Sequence, residues 1–158
     1  MIIYNVSVAG TLAATTTAIA TIIGGASRSF LILELDFEGM ATASATNEIG
    51  IYRVGTAGVT GSSALTFSSV EAPNMTGTTP ALAFSGTGFA AYSTQPIKGA
   101  LIHNFGLNAN GQRYFWRCNP NLNNAITVPG GNNAAASVTI MPISGSSVVA
   151  GRLQIAEL

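Results

Sequence analysis

Charge is what this chain has least of. Six Lys and Arg stand against six Asp and Glu in 158 residues, so 8% of positions are charged, where an ordinary soluble domain carries roughly 25%. The formal net charge is zero and no cluster of Lys and Arg occurs. Nucleic acids and anionic membranes demand concentrated positive charge to displace counterions, so neither is an expected partner. Cysteine is confined to Cys118, which forms no intrachain disulfide and leaves the fold independent of an oxidising compartment. No unbroken run of ~18 apolar residues is present, which removes a transmembrane helix. The opening "MIIYNVSVAG" alternates apolar and polar residues without a basic lead, unlike a secretory signal. Without such a signal, the glycosylation patterns at Asn5-Val-Ser7 and Asn74-Met-Thr76 read as chance matches.

What is there is neutral. Hydrophobic residues make up 47% of the chain, and most of the remainder is Ser, Thr, Asn and Gly. The length fits one domain, residues 1–158, which buries about two thirds of the surface its unfolded form exposes. Something other than charge must cover the outside. Neutral polar side chains serve, and so does contact with other protein copies. Near-zero net charge protects little against association, so a controlled homo-oligomer is expected.

No repeat of fixed period divides the chain, and helical periodicity is hard to find. Short β-branched and aromatic runs bounded by Gly, Pro, Asn and Ser recur every ten residues or so. Strands are predicted over 2–8, 29–39, 48–54, 64–70, 89–92, 97–105, 112–118, 125–128, 137–143 and 148–155, about eight to ten in all. That number and spacing predict an all-β chain: a two-sheet antiparallel sandwich, jelly-roll-like. In 29–39, "SFLILELDFEG", alternation sends Leu31, Leu33, Leu35 and Phe37 to the core and Phe30, Ile32, Glu34, Asp36 and Glu38 to the other face. Turn signals lie at "GTAGVTGSS", "NANG", "CNPNLNN" and "PGGNN". The segment "GTLAATTTAIATIIGG" is ambiguous; its Thr and Ile favour strand and its flanking glycines a short one.

Candidate chemistry is sparse. His103 is the one available imidazole base. It alternates with Leu101 and Phe105 in a predicted strand, which reads as a packed or half-buried position, and no G-x-S-x-G elbow accompanies it. Cys118 closes a hydrophobic strand as a small buried hydrophobe. Glu34, Asp36 and Glu38 form the one carboxylate cluster, ~6.6 to 7 Å apart along a strand face. That spacing suits a calcium ion aided by loop carbonyls or an acid and base pair; the preferred reading is either a solvated strand face or a row pairing with arginines on a neighbouring strand or subunit. "GTGFAA" places Gly86, Gly88 and Ala91 at dinucleotide-fingerprint offsets, but without a following helix or an acidic residue ~20 positions on it reads as a turn. No catalytic, cofactor or metal residues are assigned, and no enzyme activity is expected.

The stretch "GQRYFWRCNP", 111–120, gathers the only Trp, the only Cys and two of the six basic residues. A period of two projects Tyr114, Trp116 and Cys118 toward the core and Arg113, Phe115 and Arg117 outward. Two arginines flanking an aromatic ring either pair with the carboxylate row or form an interface, a composition enriched where proteins meet.

Residues 97–158 resemble the jelly-roll head decoration or cement proteins of phages and related small virion structural proteins. The likeness is carried by "NGQRYFW" after an Asn-Gly turn, the "VPGG" turn and the closing "GRLQIAEL". The resemblance implies a homotrimer seated on the major capsid protein or another virion protein, located in the virion and acting without cofactor. The alternative is a carbohydrate-binding, receptor-binding sandwich module of a phage particle, using Trp or Tyr as a stacking platform and Asn-rich loops such as "NPNLNN" for hydrogen bonds.

Overall fold

The computed structural model describes residues 2–12, 15–55, 60–70, 87–119, 121–131 and 137–158. Asn74, Thr76, Gly86, Pro120 and parts of the turn signals at 55–63 and 129–133 lie outside the described residues. The strands are β1 (Ile2–Thr11), β2 (Ala20–Ile23), β3 (Phe30–Met40), β4 (Thr46–Val54), β5 (Thr60–Ala64), β6 (Phe67–Ser69), β7 (Thr87–Thr94), β8 (Lys98–Asn108), β9 (Asn110–Arg117), β10 (Ile126–Val128), β11 (Val138–Ser144) and β12 (Val148–Glu157). The chain is all-β, with every pairing antiparallel.

Two sheets pack face to face. The first runs β10-β3-β12-β1-β6, with β9 also paired to β3; the second runs β5-β7-β2-β11-β4-β8. Four pairs are nested in the order of the chain: β1 with β12, β2 with β11, β3 with β9 and β4 with β8. Alternate pairs fall in opposite sheets, the winding of a jelly roll. Strands β5, β6 and β7, inserted between β4 and β8, widen the two sheets on one side, and β10 docks beside the first residues of β3.

Twelve strands replace the eight to ten predicted, for two reasons. The ambiguous Ala/Thr segment supplies the short β2, fully buried. Residues 60–63, read as part of a turn, form β5 instead, and the strand predicted over 64–70 narrows to β6, because the chain leaves the second sheet after Ala64 and enters the first at Phe67. Buried Leu65 anchors that crossing. Residues 87–91, read as a turn in "GTGFAA", run inside β7 instead. A side chain added at Gly88 would meet the Phe67 ring at 2.6 Å, so any larger residue there requires Phe67 to shift.

The core lies between the sheets. Tyr4, Val6 and Val8 of β1 meet Ile49 and Ile51 of β4 and Val138 and Ile140 of β11 there. Strand β3 departs from simple alternation. Gln154 pairs with Glu34 but Ile155 pairs with Ile32, so Leu33 is an extra residue, a β-bulge. The bulge reverses the facing of the strand: Phe30 and Ile32 enter the main core together with Leu35 and Phe37. Leu31 and Leu33, expected in that core, form a small separate cluster with Cys118 and Ala156. Four apolar residues in a row, Phe30 to Leu33, carry no record of where the phase changes.

Phe37 is fully buried and its ring lies 5.3 Å from that of Phe105 across the sandwich. Phe37→Ala is expected to lower stability by ~3–5 kcal/mol through the cavity it leaves, read as a fall in the urea midpoint; a loss under about 1 kcal/mol would contradict this packing.

Candidate functional site

The outer face of the first sheet is organised by the register of β9 on β3. The turn that precedes β9 is set by Gly111, whose φ of 72° lies in the left-handed region that glycine enters freely. The Asn110 N–H donates to Asn108 Oδ1 at 2.9 Å, and Ala109 is held by backbone hydrogen bonds to Ala45 and Ala41. So aligned, Arg117 lies opposite Glu34, Phe115 opposite Asp36 and Arg113 opposite Glu38, while Arg152 of β12 lies opposite Asp36 on the other side.

Of the two readings of the carboxylate row, pairing with arginines holds for Glu34 and Asp36, while Glu38 is solvated and takes part in no ion pair among the described residues. Arg113 grips Asp36 with two hydrogen bonds of 2.6 Å, from Nε and Nη2. Arg117 Nε donates to Glu34 Oε1 at 2.5 Å. Arg152 Nη2 lies 3.8 Å from Glu34 and 3.9 Å from Asp36. Three arginines and three carboxylates thus gather half of the chain's twelve charged residues on one face, and their charges cancel. Glu34 is buried, so its pairing matters more than that of an exposed acid: an unpartnered buried carboxylate is costly. The bidentate hydrogen bond from Arg113, helped by the positive charges of Arg113 and Arg152, holds the Asp36 carboxyl below the usual range against a smaller opposing effect of burial. A carboxyl kept ionised by a guanidinium is no general acid. Among the described residues no group of three His, Cys, Asp or Glu is arranged to hold a metal ion.

Phe115 stands half exposed, at 50%, between the two arginines, with the Arg117 guanidinium 5.8 Å from its ring centroid. Met40 and Val148 continue the outward rows of β3 and β12 and are also exposed. The outer face of the second sheet is different. There Thr21, Thr139, Tyr52 and Met141 are buried, and the Ala18 N–H is tied to Gln95 Oε1 at 3.0 Å, so the chain's own segments cover that part of it, while Leu101 and Ile102 of β8 stay exposed at its edge.

On its inward side β9 bears Tyr114 and Trp116. Tyr114 stacks on Phe105 with centroids 4.1 Å apart and planes within 6°. His103, half-buried on β8 as expected, has Nε2 2.8 Å from the Tyr114 hydroxyl and its ring 5.4 Å from Trp116. Burial pushes its pKa down, so the imidazole is neutral at neutral pH. Cys118, expected beside Tyr114 and Trp116 in the core, belongs instead to the small cluster with Leu31 and Leu33. The strand ends at Arg117, and the Cys118 N–H bonds to the carbonyl of the bulged Leu33.

Where β9 gives way to β10, the sheets open into a cleft of about 490 Å³ lined by Arg53, Ile102, His103, Trp116, Asn124, Ala125, Ile126 and Thr127. Trp116 and the Asn-rich turn were foreseen as possible partners; Arg53 and Thr127 were not. Nothing local marks either one, since each reaches the cleft through pairing with a distant strand. Comparison with protein-family models, curated proteins and solved structures finds no match to this chain.

The lowered pKa of Asp36 has a signed consequence. Its stabilising contribution is complete above the unfolded value of about 3.9 and is lost as pH falls through the lower folded value. The stability difference between the native chain and Asp36→Asn is expected to be constant from neutral pH to about pH 5 and to shrink in more acid solution. Urea titrations of both across that range test it; a difference that persists undiminished at the acid end contradicts the ion pair.

Proposed function

We propose that this protein is a non-enzymatic structural component of a virus particle: a jelly-roll subunit that associates with its own copies as a homotrimer and seats on a phage head as a decoration or cement protein. The observation that carries the reading is the outer face of the first sheet. Its six charged side chains cancel among themselves, and Phe115, Met40 and Val148 project from the balanced surface into solvent. A face without net charge does not repel a second copy of itself, and it offers an aromatic anchor flanked by arginines. The second sheet buries Tyr52 and Met141 of its outer face in a small cluster of its own, whereas the first sheet presents its aromatic ring between arginines. Arg113, Phe115 and Arg117 are the contact residues.

The placement in a virion rests on the resemblance of residues 97–158 and agrees with the jelly-roll winding, a fold that also serves other functions. Repeated weak contacts around a shell would reinforce one another through multivalency. Size-exclusion chromatography with light scattering is expected to give three times the mass of the chain at micromolar concentration. The variant Phe115→Ala, which leaves the Arg117–Glu34 pair in place, is expected to shift that mass to one chain with little change in melting temperature. A native chain that runs as a clean monomer, or a trimer indifferent to this substitution, contradicts the assignment of this face.

A further inference from the structure

We propose that the cleft between β8 and the β9–β10 edge is a binding site for a sugar ring, with Trp116 as its stacking platform and Asn124 and Thr127 as its hydrogen-bonding rim. It lies between the sheets, away from the contact face assigned above, and stands or falls separately from the oligomer.

The cleft follows from the way one edge of the first sheet is built. β9 pairs with β3 from Met40 back to Glu34, and β10 takes over from Ile32 to Phe30. At this handover Trp116 packs partly against the main core and partly against the cluster of Leu31, Leu33 and Cys118, and also lines the cleft. One step along, Tyr114 and Phe105 stack closely and fill the sandwich, whereas His103 and Trp116 are tilted by 44° and stand at the mouth. Trp116 is half-buried and its indole N–H has no hydrogen-bond partner among the described residues.

The lining suits a ligand with apolar faces and hydroxylated edges. Trp116 offers an aromatic plane, and Ile102, Ala125 and Ile126 add apolar wall. The turn that carries Asn124 is pre-organised: the Asn119 N–H donates to Asn124 Oδ1 at 2.7 Å, and the Asn123 N–H donates to Asn119 Oδ1 at 3.0 Å. With its oxygen so engaged, the Asn124 amide at the cleft has its N–H groups left as donors. Thr127 adds an exposed hydroxyl from β10. Among the described residues no carboxylate lines the cleft and Arg53 is its one cationic side chain, a poor setting for a phosphate-rich ligand, which collects several. The volume, about 490 Å³, falls within the range of about 300–1,000 Å³ usual for small-molecule sites. Pyranose rings meet this description, since their C–H faces stack on indole and their hydroxyls answer amide and hydroxyl groups.

Trp116 is the only tryptophan, so its fluorescence reports the site directly. The full-length protein is titrated with the methyl glycosides of glucose, galactose, mannose, N-acetylglucosamine and glucuronic acid, with saturation-transfer NMR as a second readout. At least one is expected to bind saturably, with a dissociation constant on the order of millimolar. Thr127→Val, isosteric at an exposed position, and Trp116→Leu, followed by NMR, are each expected to weaken it about tenfold. Phe115→Ala is expected to leave it unchanged. Should Trp116→Leu fail to fold, Thr127→Val decides. No saturable binding by any of the five sugars, or binding that ignores Thr127→Val, overturns the proposal.

Discussion

The extra residue at Leu33 in β3 is the constraint on which the outer face of the first sheet depends. Side chains alternate along a strand, so one inserted residue sends everything beyond it to the opposite side. Before the bulge Phe30 and Ile32 face the core; after it Leu35 and Phe37 do. Had alternation continued unbroken from Phe30, Glu34 and Asp36 would face the core in place of Leu35 and Phe37. The bulge lets an apolar beginning and an acidic end share one strand. β3 is also the strand that pairs with three others, β12, β9 and β10, so its phase sets that of its neighbours.

The ion pairs follow from that phase. Three carboxylates two residues apart on one strand repel each other unless cations flank them, and β9 and β12 bring arginines from both sides. The arginine ends of these pairs are solvated, which limits what each adds to stability, although buried Glu34 needs its partner. Their larger effect is on alignment: slipping β9 by one residue would turn Arg113 and Arg117 inward and Tyr114 and Trp116 outward. In a chain with so few charges, grouping half of them in one self-neutralising set explains how the exterior remains nearly free of net field.

The jelly-roll winding explains why the cleft lies where it does. Nested pairing places β8 and β9 at matching edges of opposite sheets, joined by the turn at Ala109. Near that turn the edges are held together by Phe105 and Tyr114; farther along they diverge, and the handover from β9 to β10 leaves space beside Trp116. Strand order and a fixed turn are therefore enough to assemble His103, Trp116, Arg53 and Thr127 from four separate strands.

Much of this was legible in the chain. The Asn-Gly turn before β9, the inward Tyr114 and Trp116, the outward Arg113, Phe115 and Arg117 and the pairing of arginines with the acidic row all follow from a period of two and from turn chemistry. Both are properties of a residue and its immediate neighbours. The bulge was not legible, because Phe30 to Leu33 are apolar on both faces, and Cys118 was misplaced because its position depends on where β9 lets go of β3. The sequence by itself determined an all-β, weakly charged chain and the facing of most of its strands. Only the tertiary structure decided which Arg meets which carboxylate and what borders Trp116. Asp36 and Arg113 are 77 residues apart, and contacts at that separation are chosen by how whole strands pack.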